Sequence, residues 1–183
     1  MSLIEDITNV RQKKHEGMAA NIAQNILQIR KESIKQSLWD MDTVSHRQEY
    51  FAEINNVSFC NDAKAETANA TWFTFENIFT PTIWIAGGVD KGNDYTDLFP
   101  TAKKNVKALI CLGKENEKLK QSFDGIVSKI YSTDSMEEAI RLSMSLAEEG
   151  DTVLLSPACE ATDLFRDYAE KGNLFKDIVN KMK

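Results

Sequence analysis

The sequence predicts an α/β domain in three layers: a mostly parallel sheet with an antiparallel hairpin at one edge, helices on both faces, and short helices preceding it. Three observations lead there. Short apolar runs alternate with segments of helical period, joined by brief connectors. Several runs, such as 82–86 and 152–155, are almost wholly apolar instead of alternating, as strands covered on both faces are. Two strand-like runs, 48–54 and 57–60, flank Asn55-Asn56, a pair suited to a two-residue hairpin turn.

Residues 13–29 carry Met18, Ala19, Ile22, Ala23, Ile26 and Leu27 at helical spacing, with Gly17 weakening the start, and a second short helix fits 31–38. The pattern then changes, which places a domain boundary within 40–46 and divides the chain into 1–42 and 43–183. After the hairpin, 67–78 reads as a helix stopped by Pro81, and 82–86 as a strand ended by Gly87-Gly88. Residues 94–103 are at least partly helical, 106–112 form a strand, 115–123 a helix and 127–131 a strand. Asp134 fits an N-cap, with Glu137 completing a capping box for a helix over 135–148 that Gly150 ends. Residues 152–155 form the last strand, Pro157 comes just after it, and a helical region runs from 163 toward the C-terminus with an interruption near Gly172.

With 183 residues and 42% hydrophobic composition, the chain can bury a substantial core. A net charge of -6 argues against a general nucleic-acid binder, while leaving room for a local basic pocket. Cys60, Cys111 and Cys159 are odd in number and widely spaced, and read as buried free thiols. His15 and His46 lie too far apart in sequence to suggest a metal site. No run is apolar enough to span a bilayer, and no apolar leader follows the N-terminus, so a cytoplasmic, membrane-free protein is expected.

In open α/β sheets, ligands bind where strands end at their carboxyl termini. Four segments fall there: Asn61-Asp62-Ala63-Lys64, the loop from Gly87 to Asp94, Gly113-Lys114, and Ser156-Pro157-Ala158-Cys159-Glu160. In the second, two glycines permit close backbone approach, and Lys91 offers a mobile cation to a carboxylate or phosphate. Spacing alone fits a solvated turn equally well. Asp62 and Lys64 fit a cation-and-anion site less well than a surface ion pair, and Arg47 fits a phosphate ligand or a salt bridge at the domain junction. Ser156 lacks a nucleophile-elbow context and reads as a turn residue bonded to backbone. The chain contains neither a G-x-x-x-x-G-K-[ST] nor a G-x-G-x-x-G motif.

Taken in order, His46-Arg47, Asn61-Asp62-Ala63-Lys64-Ala65, Gly87-Gly88-Val89-Asp90-Lys91-Gly92-Asn93-Asp94 and Leu154-Leu155-Ser156-Pro157-Ala158-Cys159 resemble the C-terminal part of the Mur ligases. The likeness is to the branch that adds D-glutamate, in the form found in Bacteroidetes, and runs from about Asn9 to the C-terminus. It implies that residues 1–42 are a helical remnant of the central ATP-binding domain. Residues 43–183 would then be the amino-acid-binding C-terminal domain, with a Rossmann-like fold. The complete enzyme would use ATP and Mg2+ to phosphorylate UDP-N-acetylmuramoyl-L-alanine, and the amine of D-glutamate would attack the acyl phosphate. The fragment by itself would be inactive and would hold no cofactor tightly.

Residue by residue, the resemblance puts Arg47, Asp62 and Lys64 near ATP, and Lys91 at a carboxylate of D-glutamate. Tyr168 matches an aromatic position flanking that amino acid, usually phenylalanine. His15 and His46 belong to the domain junction. Four positions depart from the pattern: Glu66 stands for a threonine, Ala161 for a serine, Glu160 for an alanine, and Glu16 for the asparagine beside His15. Losing a hydroxyl from a carboxylate site costs roughly 1.5–3 kcal/mol, and a glutamate aimed at the substrate carboxylate adds repulsion. These departures keep open a non-catalytic binding or structural module on the same fold, and a related ligase domain for a different amino acid.

Overall fold

The computed structural model describes residues 45–183. The chain separates into two units, 1–43 and 44–183, and the described residues all belong to the second. The helices expected over 13–29 and 31–38, with His15 and Glu16, lie outside the described residues.

Six strands form one sheet: β1 (Glu49–Ile54), β2 (Val57–Asn61), β3 (Thr82–Ala86), β4 (Val106–Leu112), β5 (Ile130–Thr133) and β6 (Thr152–Leu155). Their spatial order is β1-β2-β6-β3-β4-β5. Among these described strands only the β1–β2 hairpin pairs antiparallel, and the other four strand pairings are parallel; a single antiparallel bridge, Val89 to Glu160, lies outside the strands. The hairpin turn puts Asn55 at φ 52° and Asn56 at φ 59°. Those are the left-handed positions of a type I′ turn, which asparagine tolerates and whose twist matches the strands.

The helices are α1 (Ala68–Phe75), α2 (Phe99–Asn105), preceded by a 3-10 turn over Thr96–Leu98, α3 (Glu117–Phe123), α4 (Met136–Leu146) and α5 (Tyr168–Asn180). Strand side chains alternate between two cores. Trp84, Leu109, Cys111 and Leu154 face Phe75, Ala102, Leu119 and Phe123, from α1, α2 and α3. Ile83, Ile85, Ile110, Val153 and Leu155 face Met136, Ile140, Phe175 and Val179, from α4 and α5. This is the expected three-layer, Rossmann-like arrangement, with a mixed, mostly parallel sheet flanked by helices.

Four local expectations need correction. The strand expected over 127–131 is β5, three residues later, because Val127 is drawn into the core beside α3. The cap of α4 is Ser135, whose hydroxyl accepts from the Glu138 amide, not Asp134 with Glu137. The final helix starts at Tyr168, after turns over 162–167. It also runs unbroken through Gly172, whose missing side chain serves packing rather than a break. All three cysteines are free and buried, as expected. No helix among the described residues is long and apolar enough to cross a membrane.

Candidate functional site

The strand order makes the site. β6 sits between β2 and β3, so the segments leaving the carboxyl ends of β2, β3 and β6 emerge side by side. Backbone bonds stitch them together. Asp62 N donates to Leu155 O at 2.8 Å, Ala158 N to Ala65 O at 2.9 Å, Gly87 N to Pro157 O at 2.8 Å and Val89 N to Glu160 O at 2.8 Å. Gly88, at φ 139°, is obligatory, because a Cβ there would collide with the Glu160 carbonyl.

The loop from Gly87 to Asp94 is held internally by Asp90. Its carboxylate accepts from Gly92 N at 2.7 Å, Asn93 N at 2.9 Å, the Tyr95 hydroxyl at 2.7 Å and Lys118 Nζ at 2.7 Å. Burial acts to raise its pKa, but donation from Lys118, Tyr95 and the two amides prevails and holds it at about 2. Lys91 stands out from this frame, 64% exposed, and pairs with Glu160 at 2.7 Å. An open depression beside the loop is lined by Gly88, Val89, Asp90, Glu115, Lys118 and Asp163.

Asp62 does not form a surface pair with Lys64. It is 1% exposed and accepts from Thr74 Oγ1 at 2.5 Å, Ser156 Oγ at 2.9 Å and Gln48 N at 3.2 Å. Burial pushes its carboxyl up to about 6, against the pull of those donors and of Arg47. Ser156 likewise does more than bond backbone. Its hydroxyl links Asp62 to Thr71, and its carbonyl receives the indole N–H of Trp84 at 2.7 Å. Arg47 Nε is buried with no hydrogen-bond partner, and neither Arg47 nor Lys64 forms an ion pair among the described residues. The Lys64 amide donates to the carbonyl of His46, the residue before Arg47, at 3.1 Å, and an orphaned guanidinium donor is chemistry that suits phosphate oxygens.

Lys64 Nζ lies over the Tyr168 ring, 5.6 Å from its centroid, and the His46 and Tyr168 rings pack T-shaped with centroids 6.1 Å apart. His46 is buried, with Nδ1 2.9 Å from Asn61 Nδ2, and burial followed by the Lys176 charge lowers its pKa. Tyr168 thus contacts Lys64 and His46, while Lys91 contacts Glu160. Two of the altered positions also meet: Glu66 Oε1 accepts the amide of the fully buried Ala161 at 3.0 Å.

Sequence reasoning missed Lys171, which is 1% exposed and donates through Nζ to Gly87 O at 2.7 Å. Nothing in its spacing signals that role, since a lysine near a helix start ordinarily points to solvent. Among the described residues no group of three or more His, Cys, Asp and Glu side chains could hold a metal ion.

A glycine-rich loop and the side chains of Lys64 and Lys91 follow the carboxyl ends of adjacent parallel strands, the place where open α/β sheets bind their ligands. The chain belongs to the Mur ligases: residues 46–159 match the family model described as the Mur ligase glutamate ligase domain. Among its relatives is the UDP-N-acetylmuramoylalanine–D-glutamate ligase of Christiangramia forsetii, 46% identical over 165 residues, covering 90% of this chain and 37% of that protein. The enzyme of the same name from Porphyromonas gingivalis is 45% identical over 168 residues, covering 91% and 37%. The chain therefore spans a little over a third of the length of these relatives.

Solved structures agree on the fold. MurF ligase from Thermotoga maritima, in complex with ADP, aligns with a TM-score of 0.51 at 14% identity, covering 77% of this chain and 33% of that one. The bifunctional folylpolyglutamate synthase/dihydrofolate synthase of Yersinia pestis aligns with a TM-score of 0.53 at 12% identity, covering 75% and 32%.

Proposed function

We propose that this chain is the amino-acid-presenting domain of an ATP-dependent ligase that adds D-glutamate to UDP-N-acetylmuramoyl-L-alanine in cell-wall synthesis. The observation that carries the reading is the 46% identity to a ligase of that name, over a stretch that includes the glycine-rich loop with Lys91. Lys91 would meet a carboxylate of the amino acid, and Tyr168, which packs with Lys64 and His46, would flank the amino acid from the ATP side. Arg47 and Lys64 would face ATP, which supplies the phosphoryl group that activates the acceptor carboxylate, while Asp62 anchors the segment between them. Mg2+ would accompany the nucleotide in the central domain. The chain has no G-x-x-x-x-G-K-[ST] segment, so by itself it should release no ADP. A cytoplasmic setting follows from the soluble substrates.

The test is ADP release by the complete protein given UDP-N-acetylmuramoyl-L-alanine, ATP and D-glutamate. Release that depends on D-glutamate supports the reading, and release with another amino acid alone redirects it.

One observation favours a second reading, a non-catalytic module on the same fold. Lys91 is already matched by Glu160 at 2.7 Å, and the Ala161 amide by Glu66 at 3.0 Å. That reading predicts no D-glutamate binding by the unaltered complete protein.

A further inference from the structure

The glycine-rich loop has a far end held by its own side chains and a buried beginning that has none. Asp90 fixes the stretch around Gly92 and Asn93. At the start, Gly87 at φ 124° and Gly88 at φ 139° have no side chains with which to anchor themselves. The β3–β6 pairing has already ended at Ile85 and Leu155. What holds the start must therefore come from outside the loop. Two of the contacts are main chain: the amides of Gly87 and Val89 donate to Pro157 O and Glu160 O.

The third contact is a side chain, and it is costly. Lys171 lies in the first turn of α5, where the helix dipole disfavours a cation, and it is almost completely buried. Burial lowers its pKa to about 8, with Asp163, Cys159 and Glu66 opposing the shift. Its Nζ reaches the Gly87 carbonyl across 84 residues of sequence and lies over the Phe165 ring, 5.4 Å from the centroid. A methionine would fill the same space without the desolvation cost. What the lysine adds is a charge-assisted donor directed at the first residue of the loop.

We infer that Lys171 is the positioning residue of the glycine-rich loop, fixing the Gly87 carbonyl and with it the direction in which Lys91 is presented to the amino acid. The functional part of this inference rests on the proposed role of Lys91. The structural part does not.

The experiment compares hydrogen exchange in the 183-residue chain with that of its Lys171→Met and Lys171→Arg variants. Lys171→Met should speed exchange of the amides of Gly87, Gly88 and Val89 by roughly tenfold or more while β3 and β4 keep their protection and the Gly92 and Asn93 amides stay held by Asp90. Lys171→Arg, which retains a cationic donor, should stay within about threefold of the parent. Unchanged loop exchange in Lys171→Met overturns the inference. So does faster exchange throughout the sheet, failure of that variant to fold, or equal loosening in both variants, since each makes Lys171 an ordinary core residue.

In the complete ligase, Lys171→Met should raise KM for D-glutamate by roughly tenfold with much less change in kcat. If the unaltered enzyme shows no response to D-glutamate, the proposed function fails, while the exchange comparison still decides the role of Lys171.

Discussion

Lys91 Nζ lies 2.7 Å from Glu160 Oε1, an ion pair that ties the loop after β3 to the loop after β6. Both side chains are substantially exposed, at 64% and 39%, so the pair contributes about 0–1 kcal/mol. A substrate carboxylate that seeks Lys91 must nevertheless displace Glu160. Glu160→Gln keeps the shape and removes the competing charge. In the complete ligase it should lower KM for D-glutamate by up to about fivefold and leave kcat alone. A KM that stays level or rises would show that Glu160 does not compete for the site.

Glu66 and Ala161 form the second self-occupied contact, from amide to carboxylate at 3.0 Å. Glu66→Thr removes a carboxylate from the site and frees that amide, and Ala161→Ser supplies a hydroxyl. Calorimetry on the complete protein carrying both changes should show D-glutamate binding about ten- to a hundredfold tighter, the value of a hydroxyl–carboxylate bond. The same pair of changes should cost about 1 kcal/mol of stability, because the buried amide loses its partner. A stability loss without any gain in affinity would place Glu66 and Ala161 outside the amino-acid site.

Asp62 makes the stability of this domain depend on pH. Its folded pKa, about 6, lies above the ordinary value of 3.8, chiefly through burial. Between those values the folded chain keeps a proton that the unfolded chain has lost. The stabilisation from this group is therefore complete below about pH 4 and is lost as pH rises through 6, a change of about 3 kcal/mol. Asp62→Asn removes the titration, and the Thr74 and Ser156 hydroxyls can reorient to accept from its amide. His46, whose pKa is lowered, gives parent and variant the same rise in stability with pH, so the quantity to read is their difference. The variant's denaturant midpoint should gain on the parent's between pH 4 and 6 and be no lower at pH 7. A variant that keeps the parent's slope across that window would assign the slope to another group.

The fold was legible because its determinants are local. Thr82–Ala86, Val106–Leu112 and Thr152–Leu155 announce themselves as apolar runs bounded by turns, and Asn55-Asn56 as a hairpin turn. The strand-end segments followed from the fold class, since parallel strands deliver their loops to one edge. What stayed hidden depends on three-dimensional packing. No period in the sequence tells that Asp62 is buried among hydroxyls, or that Lys171 turns inward to a carbonyl 84 residues away. Ser135 caps α4 instead of Asp134 because the Thr133 hydroxyl, which receives the Ser135 amide and donates to Glu138, sets the helix start one residue later.

Gly172 shows how a residue that looks like a break can be a point of contact. In the middle of α5 it leaves room for β2 and the start of the domain to approach the helix. A Cβ there would collide with His46 Nδ1 and come within 3.0 Å of Ala63 Cβ and Asn61 Oδ1. Two effects oppose each other in Gly172→Ala. Helix propensity gains about 1 kcal/mol, whereas forcing a methyl into a filled space costs about 1–3 kcal/mol. His46 cannot simply retreat, since it is buried, bonded to Asn61 and packed on Tyr168. The collision should therefore win, and urea unfolding should show a net loss of up to about 2 kcal/mol. His46→Ala should cost less in the Gly172→Ala background than alone, with a coupling of at least about 1 kcal/mol, because it removes the atom struck. Strictly additive effects would mean that α5 shifts as a body to admit the methyl, and Lys64, stacked on Tyr168 at the head of that helix, should then lose its contact as well.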